Sequence, residues 1–327
     1  MPTASIVVPA FNSETTLAGT LQSLLAQSFR DFEILVVNDG STDGTLRVAE
    51  AFASDPRLRI ITQANRGLAG ARNSGIDAAR GRYVGFCDAD DIWMPEKLAA
   101  HVDHLNASPD VGLSFSGSVL IDDASRPTGM RQRPRLRNIS ARTILCRNPV
   151  GNGSSAVMRR AALDDIAWRP AVERRRDWYF DETFRQSEDI ECWLRLVLTT
   201  DWQVEGIPGF LTGYRVNPNG LSAATERQLA SWERMISKLR PCNPGFFTRW
   251  EGVARAYQLR YLARRAISAL DTRQAWPLVC RAMASSARPL LEEPVRSSVT
   301  ISAAAMLHVL GPGPLRQAAR LIAFRAR

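Results

Sequence analysis

Over the first hundred residues, short runs of β-branched and aliphatic residues alternate with segments of helical spacing. No other feature limits the possible folds as much. The runs are Ser5–Pro9 (SIVVP), Glu33–Asn38 (EILVVN), Arg57–Thr62 (RLRIIT) and Arg82–Cys87 (RYVGFC). They show little polar alternation, as expected of strands covered on both faces. Between them, Leu17, Leu21, Leu24 and Leu25 recur at helical spacing behind Ser13, an expected N-cap, and Thr45–Ala53 and Gly67–Ala79 read as helices. Strand-helix alternation predicts an α/β fold with a parallel sheet and right-handed crossovers. Ligands of such sheets bind beyond the carboxyl ends of the strands. Phe11-Asn12, Asp39 and Asp88–Asp91 each follow a strand end, so three segments should meet at one sheet edge.

From about Val111 the pattern becomes mixed, with strands at Gly112–Ile121 and Ser154–Met158 and a helix over Ser187–Thr199. Two arginine-rich stretches, Arg131–Arg147 and Arg174–Arg176, read as loops. Beyond Ala223 the chain reads as helices, broken at Pro241–Pro244, near Asp271, at Pro289–Pro294 and at Gly311–Pro314. The expected parts are residues 1–110, 111–222 and a helical region 223–327.

Hydrophobic residues form 45% of the 327 and charged residues 23%, enough for a packed core and against disorder throughout. The net charge of +9 is unevenly placed: residues 1–230 carry 26 Lys+Arg against 28 Asp+Glu, and residues 231–327 carry 16 against 5. A basic end of this kind fits an anionic membrane surface, an acidic partner or a solvated arginine face. Nucleic acid is not the expected partner, and the C-terminal helices could also serve a homo-oligomer. The five cysteines are scattered without a C-x-x-C pair, which fits free thiols in a reducing compartment. The start, MPTASIVVPAFN, does not read as a signal peptide, and the apolar run Val299–Leu310 falls short of the roughly 20 residues a spanning helix needs. The expected place is the cytoplasm, with peripheral attachment to the inner face of a membrane.

The chemistry concentrates in F-C-D-A-D-D-I-W. In an extended chain Asp88 and Asp90 share a face, and two carboxylates so placed repel unless a cation lies between them. Oxygen-only donors favour Mg²⁺ or Mn²⁺ over zinc. The competing reading is an acidic turn in which Asp91 caps the next helix. In V-V-N-D-G-S-T-D-G-T, Asp39 could accept the N3–H of a uracil-type base, while the glycines explain the turn. In N-R-G-L-A-G-A-R-N-S-G-I, Arg72 could meet the phosphates or the base, or lie on a solvated helix face. His101 and His104, at i and i+3, are expected at exposed polar positions rather than on a metal. Trp232, Trp250, Tyr257, Tyr261 and Trp276 are expected to pack helices together.

P-A-F-N, V-V-N-D-G-S-T-D-G-T, N-R-G-L-A-G-A-R-N-S-G, F-C-D-A-D-D and S-E-D-I-E-C-W-L-R-L follow one another in the order found in glycosyltransferase family 2, and residues 4–222 resemble that family. The resemblance implies the GT-A fold, a mostly parallel, Rossmann-like sheet flanked by helices, and an inverting, non-processive transferase. It implies that Pro9, Ala10, Phe11, Asn12 and Glu14 line a nucleotide pocket, with Phe11 stacked on the base. Asp39 would bind the base and Arg72 the nucleotide. Asp88, Ala89 and Asp90 would form the D-x-D element, with Asp90 a metal ligand and Asp88 in contact with the ribose or the metal. Asp189 would be the catalytic base, with Glu188 beside it, and Trp193 and Arg195 would pack and position. Asn217 stands where the family often has a loop histidine. The donor expected is a UDP-sugar and the acceptor a glycan or lipid-linked hydroxyl, in cell-surface polysaccharide synthesis. A nicotinamide dehydrogenase is disfavoured by the lack of G-x-G-x-x-G, and a sugar nucleotidyltransferase by the lack of a Gly-rich basic loop after the first strand. A non-catalytic nucleotide-sugar- or glycan-binding protein is the remaining alternative.

Overall fold

The structure is a computed structural model that describes residues 1–173, 176–216 and 225–317. The chain divides into two compact units, Met1–Ile144 with Asn148–Gly220, and Leu145–Arg147 with Leu221–Arg327.

In the first unit, β1 (Ala4–Ala10), β2 (Phe32–Asp39), β3 (Leu58–Gln63) and β4 (Tyr83–Phe86) pair in parallel in the order β3-β2-β1-β4. β1, β2 and β4 are buried along their whole length, which accounts for their unbroken apolar runs. The helices α1 (Leu17–Leu25), α2 (Thr45–Glu50) and α3 (Gly67–Ala78) connect them. Leu17, Leu21 and Leu24 enter a core with Ile6, Val8, Ile34 and Val36. Ser13 does not cap α1. The helix begins after Thr16, and Ser13 contributes its carbonyl, which accepts the N–H groups of Thr16 and Leu17. α3 lies close on β1 because its inner face is small: a Cβ on Gly75 would stand 2.2 Å from Val7 Cγ1.

The strand order reverses between β1 and β4, and a crevice opens beyond such a reversal. Past β4 the sheet becomes mixed. It continues through β8 (Ala156–Arg159), β6 (Val111–Ile121), β9 (Gln203–Arg215) and the short β5 (Ile92–Trp93), with β7 (Pro127–Gln132) on β6. β9 runs parallel to β6 and antiparallel to β5. α4 (Lys97–Ala107), α6 (Arg160–Asp165) and α7 (Glu188–Thr199) complete this unit, and α5 (Ala141–Arg147) ends the stretch Arg131–Arg147 expected as a loop. That stretch also begins inside β7, and β9 was not anticipated at all. Arg174 and Arg175 lie outside the described residues, as does Asn217.

The second unit is helical: α8 (Thr225–Leu239), α9 (Pro244–Ser268), α10 (Ala275–Ser285), α11 (Arg288–Glu292) and α12 (Pro294–Leu310). Trp232 and Tyr257 are buried as packing residues, whereas Tyr261 is exposed. Arg260 is buried on α9 and pairs with Glu293, donating also to Ser297 Oγ at 2.6 Å.

Candidate active site

Beyond β4 the chain turns instead of continuing as an extended strand. The Asp91 N–H donates to the Asp88 carbonyl at 3.0 Å, so Asp88-Ala89-Asp90-Asp91 is a tight turn. The alternation argument for Asp88 and Asp90 therefore does not apply, although the two remain close enough to affect each other's charge. Asp91 is no helix cap either. It leads into β5, and α4 starts behind Glu96. Buried, Asp91 accepts the Arg215 N–H at 2.8 Å on one oxygen, and its other oxygen has no hydrogen-bond partner among the described residues. Burial and the charges of Asp90 and Asp88 push it well above the usual carboxylate range.

Arg72 decides the arrangement. It is buried on α3, and its guanidinium donates to Asp88 Oδ1 and to Glu188 Oε1, each at 2.8 Å. The face of the guanidinium lies 5.3 Å from the Phe180 ring centroid, and Phe180 packs edge-on against Phe86 and Trp193. Gly153 is needed beside it, because a Cβ there would stand 2.3 Å from Arg72 Nη2. Asn73, the next residue, binds the backbone of Tyr179 and Phe180, which lead towards α7. The solvated-face reading of Arg72 is thus overturned: it ties the acidic turn to the first turn of α7, where Asp189 follows Glu188. Trp193 and Arg195 pack and position as expected. Trp193 is buried, and Arg195 bonds Glu191 and the carbonyls of Ile166 and Tyr179.

The carboxylates around Arg72 outnumber the nearby positive charges. Burial first, and then the charge of Glu188, push Asp189 up to about 7. Burial and the charge of Asp88 push Asp90 up to about 6. Burial and the charges of Asp91, Asp88, Asp90 and Asp189 raise Tyr214, which places that phenol in the same negative field. Such a field suits a cation, and the donors are all oxygen. Among the described residues, however, no three His, Cys, Asp or Glu side chains are grouped to hold a metal. One oxygen of Asp88 is already held by Arg72. Asp90 and the second oxygen of Asp88 could serve as ligands here, with water and ligand oxygens filling the other positions, the usual pattern for Mg²⁺.

Around the end of β1, Phe11 is 51% exposed, while the polar side chains beside it are used internally. Asn12 Oδ1 accepts the Thr42 N–H at 2.9 Å and Glu14 Oε2 the Gly44 N–H at 2.7 Å, binding this loop to the turn after β2. Asp39 is buried and caps α3: its carboxylate accepts from Gln63 Nε2 at 2.7 Å and from the N–H groups of Arg66 and Gly67 at 2.8 Å. Pro9, Ala10 and Ala89 are buried backbone positions of this edge.

Two supports were not anticipated in the sequence. Ser154 Oγ accepts the Asp88 N–H at 2.9 Å, and the Ser154 carbonyl accepts from Trp93 Nε1 at 3.0 Å. Arg215, at the end of β9, donates to the Asp90 carbonyl at 2.8 Å and to Ser125 Oγ at 2.7 Å. His101 and His104 both reach Ser114 Oγ, at 2.7 and 2.9 Å; His101 is fully buried and the His104 side chain only 8% exposed, so the expectation of exposed positions fails for both. A separate cleft of about 750 Å³, lined by Asp110, Asp165, Trp202 and Gln203, contains none of the motif residues.

The family profile described as Glycosyl transferase family 2 matches residues 5–167, which carry all the strand-end motifs of the first sheet half. The chain belongs to glycosyltransferase family 2. It is 50% identical over 92 residues to the uncharacterized glycosyltransferase EpsJ of Bacillus subtilis (strain 168), a match covering 28% of this chain and 27% of EpsJ. Together with EpsE and EpsH of that organism, the first relatives are matched over only 27%, 66% and 28% of their lengths. A longer match, 26% identical over 239 residues, covers 73% of this chain and 87% of the Escherichia coli UDP-Glc:alpha-D-GlcNAc-diphosphoundecaprenol beta-1,3-glucosyltransferase WfaP. The mannosyltransferase PcManGT of Pyrobaculum calidifontis, solved with GDP-Man and Mn²⁺, superposes with a TM-score of 0.59 at 21% identity, covering 94% of this chain and 87% of that one. The fold is GT-A.

Proposed function

We propose that this chain transfers a glycosyl group, with inversion, from a nucleoside-diphosphate sugar to a hydroxyl of a glycan or lipid-linked acceptor. One observation carries the reading: Arg72 bridges Asp88 and Glu188, so Asp189 shares its electrostatic environment with the acidic turn. In this reading residues 1–110 bind the donor, residues 111–222 bind the acceptor and carry the base, and the basic helical region 223–327 is an addition to them.

Phe11, largely exposed at the end of β1, offers a face for a base. Asp39 retains acceptor capacity for one further N–H, since a carboxylate has about four lone-pair sites and three donors are present. That supports a uracil-type base, and WfaP, by its name, uses UDP-Glc. Asp90, with Asp88, would hold Mn²⁺ or Mg²⁺, and the Mn²⁺ in PcManGT supports a divalent ion here. Bound there, the ion would neutralise charge on the diphosphate.

The chain's own residues supply the remainder. Arg72 holds Asp88 in place beneath the diphosphate. Asp189 takes the proton of the acceptor hydroxyl as that oxygen bonds to the anomeric carbon. The bond from the anomeric carbon to the diphosphate oxygen breaks, and its electron pair leaves with the nucleoside diphosphate. Attack from the face opposite the leaving group inverts the centre, with no covalent enzyme intermediate. A carboxyl raised to about 7 is well matched to that proton. A diphosphate-lipid acceptor like the one in WfaP's name is the favoured class, and a peripheral position at the inner face of a membrane would suit it.

Nucleotide sugars should be screened for Mn²⁺-dependent hydrolysis, and candidate acceptors then added. Release of UDP from one UDP-sugar, lost in Asp189→Asn when an acceptor is present, is the expected result. No hydrolysis or transfer with any nucleotide sugar would reject the proposal and favour a binding protein.

A further inference from the structure

α12 is inverted relative to an ordinary surface helix. Its inward stripe, at spacings of three and four, is Ser297, Thr300, Ala304 and Leu307, all buried. Its outward stripe is Val295, Val299, Ser302, Met306 and Val309, with Leu310 beside the last. Val295 is 76% exposed, Val299 64%, Val309 75% and Leu310 63%. A helix packing on a water-soluble core normally buries its valines and exposes its serines. A stripe left in water with four of its five members apolar marks a surface with a partner.

We infer that the outward face of α12 is a peripheral docking surface for an anionic lipid bilayer. Charge selects this occupant. Residues 231–327 carry 16 Lys+Arg against 5 Asp+Glu, and Arg296 projects from α12 between Val295 and Val299 in sequence, with 71% of its side chain exposed. Arg296 pairs with Glu293 at 3.2 Å, and Arg147 and Arg260 share that one carboxylate, so three guanidiniums stand against a single negative charge. A second copy of the chain would bring the same positive charge to the contact, whereas anionic headgroups neutralise it. Apolar side chains entering the headgroup boundary with arginines beside them make an interfacial contact, not a span. No described helix is long and apolar enough to cross a membrane. The cationic residues of α9 are poorer candidates, because Arg255 pairs with Glu233 and Glu251 and Arg260 is buried. This inference is independent of glycosyl transfer, and its test uses no substrate.

The full chain should be sedimented with vesicles of phosphatidylcholine alone and of phosphatidylcholine mixed with phosphatidylglycerol. Binding to the anionic vesicles alone, weakened by salt, is expected. A Val299→Asp/Val309→Asp variant should bind about tenfold more weakly at an unchanged melting temperature, since both positions are solvent-facing. The inference is overturned if the full chain ignores anionic vesicles or if the variant binds them as well as the parent. A dimer in sedimentation velocity that the variant dissolves would assign the face to a second copy and overturn it too.

Discussion

Asp88 and Glu188, far apart in the chain, accept hydrogen bonds of equal length, 2.8 Å, from two nitrogens of one buried guanidinium. The two acids thereby become a single positioned group. The strand end and the helix start cannot shift independently while Arg72 holds both.

Replacing Arg72 should therefore affect both folding and activity. Arg72→Met leaves the buried Glu188 and the half-buried Asp88 without their cation, and removing one partner of a buried ion pair costs about 3–5 kcal/mol. Arg72→Lys keeps the charge but cannot fork between two carboxylates. The lysine variant should recover much of the melting temperature and little of the activity. Thermal unfolding and transfer rates, measured on both variants, separate the two effects.

Asp189 should set the acidic limb of the pH–rate profile. With its pKa raised to about 7, chiefly by burial and then by Glu188, kcat/KM should fall about tenfold per pH unit below that value. Asp189→Asn should lose on the order of a hundredfold or more in kcat. The stability effect has the opposite sign. The folded protein holds this proton between about 4 and 7 and the unfolded chain does not, so folding weakens as pH rises through that window. The asparagine variant should thus melt higher than the parent at pH 8.

Asp90 should govern metal-dependent nucleotide binding. Burial and Asp88 hold its carboxyl near 6, so protonation at lower pH should compete with a divalent ion. In calorimetric titration at pH 7.5, Mn²⁺ should strengthen UDP binding to the parent and have little effect on Asp90→Asn. An equal Mn²⁺ effect on both would remove Asp90 from the metal site.

Lys97 gives the clearest stability test. It is fully buried, donates to the Ser155 carbonyl and Thr212 Oγ1 at 3.1 Å each, and lies 4.8 Å from the Trp93 ring centroid. Burial lowers it to about 7, while the unfolded chain binds that proton up to about 10.5. Stability from this group therefore rises with pH across the interval. Between pH 7.5 and 9.5 the parent should gain about 2 kcal/mol in urea unfolding relative to Lys97→Met. A parallel response in both proteins would contradict the lowered pKa.

How far the sequence revealed this arrangement depended on the kind of element. The parallel strands were plain because burial on both faces leaves unbroken runs such as SIVVP and EILVVN, and the motifs at their ends followed from strand direction. β9 was hidden because QVEGIPGFLTGYR holds three glycines and a proline, the punctuation of loops, yet it pairs along β6 with repeated register shifts. Arg215 was missed with it. Asp91 looked like a helix cap because composition does not reveal that the chain turns back into a two-residue strand. His101 was misjudged because its partner Ser114 lies on another element, and only packing brings the two together. Asp39 stood where it was expected, but its role in starting α3 depends on Gln63 and the Arg66 and Gly67 amides, which spacing alone does not identify.

The reversal of strand order between β1 and β4 also bears on how such a chain can change. A crevice at such a reversal follows from connectivity rather than from the residues at its rim. The sheet core beneath it is buried aliphatic packing. On the proposed function, residues past β1 and β2 would vary to suit a different nucleotide and the β6–β9 half to suit a different acceptor, while Arg72 ties the acidic turn to α7. Specificity and scaffold are in this sense separable traits, and new substrates can be reached without a new fold.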